Sequence, residues 1–163
     1  MIAPPPSPGP GKPGLKISPL AVPFPAIPPI EGVELAAVRA GFYRHERDDL
    51  MLVRFGFGTS CAGVFTQHKV GSAPVDWCRK ALHDSHGEDV RALVLNAGCA
   101  NAFTGKAGEK TVSKVAAALA KAIGCKPHAV MQASTGVIGG PFDPAMITDR
   151  APDLSAGLSP DGW

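Results

Sequence analysis

The residues of this sequence best suited to chemistry lie where an apolar segment runs into hydroxyl and glycine residues. Ala129–Ala133 (AVMQA) predicts a strand, and Ser134–Gly140 (STGVIGG) predicts a turn directly after it. In such a turn the backbone N–H of Gly136 can stay unpaired beside the hydroxyl of Thr135. Two donors directed at one point are what stabilises the oxyanion of an acyl-transfer intermediate. Thr135 and Gly136 are therefore the candidate catalytic residues.

Two other glycine-containing segments resemble known motifs but lack residues that those motifs require. The segment from Asn96 to Lys106 (NAGCANAFTGK) follows a predicted strand and precedes a helix, as a phosphate-binding loop does. A P-loop would need glycine at position 100 and Ser or Thr at position 107, and both positions hold alanine. Gly58–Gly63 (GTSCAG) has alanine at position 62, where a nucleophile elbow needs glycine.

Cys99 is a further candidate nucleophile, with one of the five histidines, for example His68 or His128, as its base. The sequence alone does not place these residues together, so a Cys- or Ser-dependent hydrolase stays open as an alternative. The four cysteines contain no CxxC pair, which argues against zinc-ribbon and thioredoxin-type sites.

The elements that must position these residues alternate between strand and helix, which favours an α/β or α+β fold. Leu50–Phe55 (LMLVRF) and Cys61–Thr66 (CAGVFT) predict an antiparallel hairpin. Arg91–Asn96 (RALVLN) predicts a buried strand in mid-sheet, and residues 97–107 predict a loop.

Three helices are predicted from capping residues and periodicity. Ser72 and Pro74 open the first, which runs through Leu82, and Asp143–Pro144 opens a short one through Ile147. The clearest helix ends at Gly124, and its apolar residues recur at i, i+3, i+4, i+7 and i+11: Val112, Val115, Ala116, Leu119 and Ile123.

Composition limits the classes of partner. Sixteen basic and fourteen acidic residues give a net charge of +2, too balanced for binding to nucleic acid or an anionic membrane through charge. No segment reaches the ~20 apolar residues of a spanning helix, and the N-terminus lacks the pattern of a secretory signal, so we expect a cytoplasmic protein. Most of the 17 prolines precede residue 30, which predicts a disordered Pro-rich tail over residues 1–16. The remaining residues, 17–163, are enough for one domain or for about half of a larger one.

Several segments, in this order, together resemble the ornithine acetyltransferase family, also called bifunctional glutamate N-acetyltransferase. They are residues 62–66 (AGVFT), 72–75 (SAPV), the loop from Asn96 to Gly105, and residues 134–139 (STGVIG). The resemblance runs from about Ser18 to Trp163 and matches the N-terminal part of such an enzyme. Family members usually carry Asn-Ser-Gly-Asn-Ala-Asn where this chain has Asn96-Ala97-Gly98-Cys99-Ala100-Asn101, and asparagine near the position of His68.

The resemblance implies a layered helix–sheet–sheet–helix sandwich, incomplete in this chain and completed by a second (beta) chain in a hetero-oligomer. It implies transfer of acetyl from N-acetylornithine to glutamate in arginine biosynthesis. The nucleophile would be a threonine that self-cleavage exposes at the start of the beta chain. Thr135 and Gly136 would form the oxyanion hole. No cofactor is expected, although acetyl-CoA is an acetyl donor for some members.

The C-terminal residues Ser159-Pro160-Asp161 carry a helix-opening signature, which leads us to expect that the polypeptide is a fragment. The alternative to an enzyme segment is a catalytically inactive, truncated paralogue. It would act as an interaction protein through its proline-rich tail or an exposed face of its sheet.

Overall fold

The structure is a computed structural model that describes Leu20 and residues 27–162. Its strands are β1 (Val33–Val38), β2 (Leu50–Phe55), β3 (Ala92–Cys99) and β4 (Val130–Val137). Its α-helices are α1 (Ala73–Ser85), α2 (Gly105–Ile123), α3 (Ala145–Thr148) and α4 (Ala151–Ala156), and a 3-10 turn, Pro127–Ala129, precedes β4. The tail predicted for residues 1–16 lies outside the described residues.

The four strands form one sheet in the order β1-β2-β3-β4. The pairs β1–β2 and β2–β3 are antiparallel, whereas β3 and β4 are parallel and α2 provides the crossover between them. The prediction that residues 91–96 form a buried strand in mid-sheet is therefore confirmed. Parallel pairing also brings the C-terminal ends of β3 and β4 to the same end of the sheet, with Cys99 opposite Val137.

The core lies between α2 and one face of the sheet. The apolar stripe predicted for α2 is confirmed, since Val112, Val115, Ala116 and Leu119 are all at most 4% exposed. Gly124 ends the helix with φ +74° and donates its N–H to Ala120 C=O. From the sheet, alternate side chains meet this stripe, and α3 and α4 add to the same cluster: Ala36, Leu50, Leu52, Ala92, Val94, Val130, Ile147, Ala151 and Leu154.

The opposite face of the sheet is covered over only part of its area: Leu35, Val53 and Met131 are buried there, and Met131 packs with Ala81 of α1. Met51, Leu95 and Ala133 on this face are only partly buried, and Ala37 is exposed. The expected α/β class is confirmed, with the α2, α3 and α4 helices layered on one face of a mixed sheet. One helical layer and one sheet correspond to half of the expected sandwich.

The predicted second strand, Cys61–Thr66, is wrong, because these residues have no regular secondary structure. A hairpin partner for β2 has no edge to occupy, since β1 and β3 already pair with its two sides. The strand β1 was missed, although its sequence VELAAV is mostly apolar.

Two boundaries near the candidate site also differ from prediction. The turn predicted for Ser134–Gly140 begins later, because β4 continues through Val137. The loop predicted for residues 97–107 is shorter, since β3 extends to Cys99 and α2 begins at Gly105. The later turn and the longer β3 have one cause: the two strands pair with each other in register as far as Cys99 and Val137.

Candidate active site

The candidate residues Thr135 and Gly136 lie together near the end of β4, and both are exposed. Their polar groups take different directions because alternate residues of a parallel pair turn their backbone N–H and C=O toward the neighbouring strand. Which residues of β4 face β3 therefore decides whether the amide of Gly136 is available.

Hydrogen bonds at both ends of β4 fix this alternation. Val137 C=O accepts the Ala100 N–H at 3.0 Å, and Ala129 C=O accepts the Arg91 N–H at 2.9 Å, so the odd-numbered residues face β3. Ala97, the β3 residue that would accept from Gly136, instead donates its N–H to Asp49 C=O beside β2, at 2.9 Å. The Gly136 N–H is therefore directed away from β3, toward the outer edge of β4.

Helix α1 covers the first half of that outer edge. Trp77 Nε1 donates to Val130 C=O at 2.9 Å, and Cys78 Sγ contacts both the N–H and the C=O of Gln132 at 3.2 Å. Burial raises the pKa of the Cys78 thiol, although the Gln132 hydrogen bond partly opposes the shift. Beyond Gln132, no strand or helix pairs with this edge in the described part of the chain, so the outward backbone groups of Ser134 and Gly136 are open.

Gly136 is held by close packing against β3. Its φ is +130°, and a Cβ at this position would lie 2.3 Å from Gly98 C and 2.6 Å from Cys99 N. Gly98 is itself covered by Phe42, since a Cβ on Gly98 would lie 2.7 Å from Phe42 Cβ. A side chain at position 136 would push β4 away from β3, and one at position 98 would displace Phe42, so the two glycines allow the close packing that fixes where the amide lies.

The side chain of Thr135 borders a depression on the open face of the sheet. The depression has a volume of about 400 Å³, and its floor is mainly apolar, formed by Ala37, Met51, Leu95 and Ala133. The structure thus places the Thr135 side chain and the outward Gly136 N–H on consecutive residues, both outside the core. Neighbouring hydroxyl and amide donors of this kind can stabilise negative charge on one oxygen.

Three buried polar residues that the sequence analysis did not select hold the loops around this site. Asp49 is 4% exposed, and its carboxylate accepts N–H groups from Ala40 at 2.7 Å and Tyr43 at 3.1 Å. Asn96 donates to Cys99 C=O at 2.9 Å, and the fully buried Asn101 accepts the Thr104 hydroxyl at 2.8 Å. The sequence did contain a signal for two of these residues, because a polar residue directly adjoins an apolar run in each case. Asp49 precedes LMLVRF, and Asn96 follows ALVL.

The hydrolase alternative gains no support from the geometry. Cys99 is 8% exposed, and its sulfur contacts Gly140 C=O at 3.9 Å. His68 is exposed and bonds to Val70, and His128 is exposed at the opposite end of the sheet, beside the start of β4. Neither candidate base therefore lies against the thiol.

The described residues contain no group of three His, Cys, Asp or Glu side chains arranged to hold a metal ion. Within the same part of the chain, no helix has the length and hydropathy that crossing a membrane requires.

Comparison with known proteins matches residues 34–161 to the model of the ArgJ family. The arginine biosynthesis bifunctional protein ArgJ of Caulobacter vibrioides is 59% identical over 142 residues, which cover 87% of this chain and 35% of that protein. The ArgJ protein of Nitrobacter winogradskyi is 45% identical over 149 residues, covering 90% of this chain and 36% of that protein.

Solved structures agree with these matches. The ornithine acetyltransferase of Mycobacterium tuberculosis, in complex with ornithine, superimposes with a TM-score of 0.74 at 32% identity, covering 80% of this chain and 69% of that one. ArgJ of Bacillus halodurans gives a TM-score of 0.72 at 28% identity, covering 81% and 68%. The chain spans about a third of the length of the curated relatives it matches. The match over residues 34–161 and the identity to these relatives show that the chain belongs to the ArgJ family.

Proposed function

We propose that residues 17–163 form the N-terminal part of an ornithine acetyltransferase, which transfers acetyl from N-acetylornithine to glutamate in arginine biosynthesis. In this proposal Thr135 and Gly136 supply the oxyanion hole. Family membership supports the reaction, because the relatives are named as arginine biosynthesis proteins and one solved relative is an ornithine acetyltransferase bound to ornithine. The observation that carries the assignment of the hole is the Gly136 N–H at the uncovered edge of β4.

The attacking group in this proposal is a threonine at the N-terminus of a second chain, which lies on sequence outside this polypeptide. Its α-amine acts as the general base for its own hydroxyl. The hydroxyl oxygen attacks the acetyl carbon, and the carbonyl electron pair moves to the oxygen that faces the Gly136 N–H and the Thr135 hydroxyl. Collapse of this intermediate breaks the C–N bond, and the released ornithine nitrogen takes the proton from the α-amine.

The acetyl group then remains as an ester on the threonine. The amine of glutamate attacks this ester through a second tetrahedral intermediate, and the same two donors stabilise its oxyanion. The products are N-acetylglutamate and the free threonine hydroxyl. Acetyl-CoA can replace N-acetylornithine in the first step, since its thioester carbonyl presents the same oxygen to the hole.

The second chain is also the proposed partner of the open face of the sheet. Met51, Leu95 and Ala133 present a mainly apolar surface there, and Thr135 lies at its border. A second sheet packed on this face would complete the helix–sheet–sheet–helix sandwich and bring the nucleophile toward Thr135. Burying such a surface is favourable at about 25 cal/mol per Å² of apolar area.

The test is an acetyl-transfer assay on this chain extended by the sequence that completes a family enzyme. Thr135→Ala should lower kcat by about 10²–10³-fold with little change in KM, because the lost donor acts mainly on the oxyanion. Thr135→Ser keeps a hydroxyl and should retain most of the activity. An unchanged kcat in Thr135→Ala would show that this hydroxyl does not contribute to the oxyanion hole.

A further inference from the structure

A second cavity lies at the opposite end of β3 from Cys99. Its volume is about 440 Å³, and it is bordered by residues 29–34, by Arg54–Gly56, by Arg91 and by Pro160. Strand β3 has eight residues, so at about 3.3 Å per residue the cavity is roughly 25 Å from the end of the strand that adjoins the candidate oxyanion hole.

The two arginines of this cavity have different surroundings. Arg54 is neutralised by Glu34, whose Oε2 accepts the Arg54 Nε–H at 2.6 Å. Arg91 has no carboxylate or carbonyl bonded to its side chain among the described residues, and its Nε is buried without a hydrogen-bond partner. Of the two arginines, only Arg54 has a carboxylate partner among the described residues.

An aromatic ring orients the unpaired guanidinium. Arg91 Cζ lies 4.9 Å from the centroid of the Phe57 ring, which is itself 90% exposed. Stacking of this kind covers a flat face of the guanidinium and leaves its N–H edge for a planar or tetrahedral anion. Because arginine does not lose its proton in proteins, an unpaired and partly buried guanidinium favours an added anion.

We propose that this cavity binds a small anion through Arg91, with a carboxylate or phosphate group as the recognised chemistry. The carboxylate or phosphate accepts hydrogen bonds from N–H groups of the Arg91 guanidinium, while Phe57 covers one flat face of that guanidinium. Apart from the Arg54–Glu34 pair, the carboxylates near the site include Glu31 on the exposed rim and Asp89, which like Arg91 acts electrostatically on Cys125. Both carboxylates oppose an anion, so removing the rim charge should strengthen binding.

The experiment titrates the chain with inorganic phosphate and, separately, with succinate at constant ionic strength, and follows by NMR the backbone N–H signal of Gly56, which borders the cavity and is present in every variant. We expect saturable movement of this signal with at least one of the two anions, and the stronger response identifies which group the site prefers. Arg91→Gln should weaken binding by about tenfold or more, as loss of a charge-assisted hydrogen bond does. The matched control is Arg44→Gln, which removes the same charge from an exposed side chain and should leave the affinity unchanged.

Glu31→Gln changes an exposed residue, so it tests the site without disturbing the core. It should tighten binding of the preferred anion. A Gly56 signal that neither anion moves would overturn the proposal, as would equal losses of affinity in the Arg91 and Arg44 variants. The same conclusion would follow from unchanged or weaker binding in Glu31→Gln.

Discussion

Gly136→Ala tests whether close packing of β4 on β3 holds the candidate amide in place. Two costs follow from the geometry of this position. A φ of +130° is strained for alanine, at about 1–3 kcal/mol, and the added methyl would lie 2.3 Å from Gly98 C, which brings a further 1–3 kcal/mol or so of overpacking. Since Gly98 contributes backbone atoms here, the contact cannot be relieved by rotating a side chain. The variant should therefore lose about 2–6 kcal/mol of the free energy of unfolding.

Thermal unfolding followed by circular dichroism measures this loss. For a chain of this size about 1 kcal/mol lowers Tm by 2–4 °C, so Gly136→Ala should lower Tm by at least about 4 °C. Gly139→Ala is the matched control, because Gly139 also has a positive φ, +73°, but an added Cβ there meets nothing within 4 Å. The control should lose only about 1–2 kcal/mol. Equal losses in the two variants would refute the argument that contact with Gly98 fixes the position of Gly136.

Three further predictions concern the packing around the sheet. Cys78→Ala leaves the N–H and C=O of Gln132 without their partner at the edge of β4, and should cost about 1–3 kcal/mol in urea unfolding. Cys78→Ser should recover part of this loss, and equal stability of all three proteins would contradict the role of the thiol. Burial raises the pKa of Cys78 above its ordinary value of 9.0, so the stability that the neutral thiol provides is full below that pH and is lost as the pH rises above it. The urea midpoint of the wild-type chain should thus fall more steeply than that of Cys78→Ser as the pH rises above 9.0. Leu119→Ala empties a fully buried position under the sheet and should cost about 3–5 kcal/mol, whereas the exposed Ser113→Ala on the same helix should stay within about 0.5 kcal/mol.

Local sequence patterns predicted those helices and strands whose own residues show a clear apolar pattern. The stripe from Val112 to Ile123 and the stop at Gly124 identified α2, because a helix that packs on a sheet must repeat its apolar residues with the helical period. The run from Arg91 to Asn96 identified the strand β3, because a strand buried within a sheet is a short, nearly continuous apolar run. The same reasoning failed at Cys61–Thr66, where an apolar run has no available edge to pair with, and sequence does not reveal which edges are occupied.

The motif that contains Thr135 and Gly136 was found from residue types, but its secondary structure was not. Glycine and hydroxyl residues indicated a turn from Ser134 onward, whereas pairing with β3 extends the strand to Val137. Pairing of this kind depends on residues that are 38 positions away in the sequence, as the register of Gly98 with Gly136 shows. Turn propensity acts locally, so it placed the start of the turn too early, at Ser134, in a segment that strand pairing extends to Val137.

The amino-acid sequence by itself predicted α2, which packs on the sheet, the central strand β3, and the pair of residues proposed as oxyanion donors. Only the tertiary structure showed that the Gly136 N–H has no backbone partner among the described residues, because an alternation of N–H directions along β4 has meaning only relative to the strand beside it. The Ala97 and Val137 hydrogen bonds set that alternation, and α1 leaves the edge uncovered beyond Gln132. Residue types establish which groups can donate, whereas contacts between distant segments establish which donors remain free.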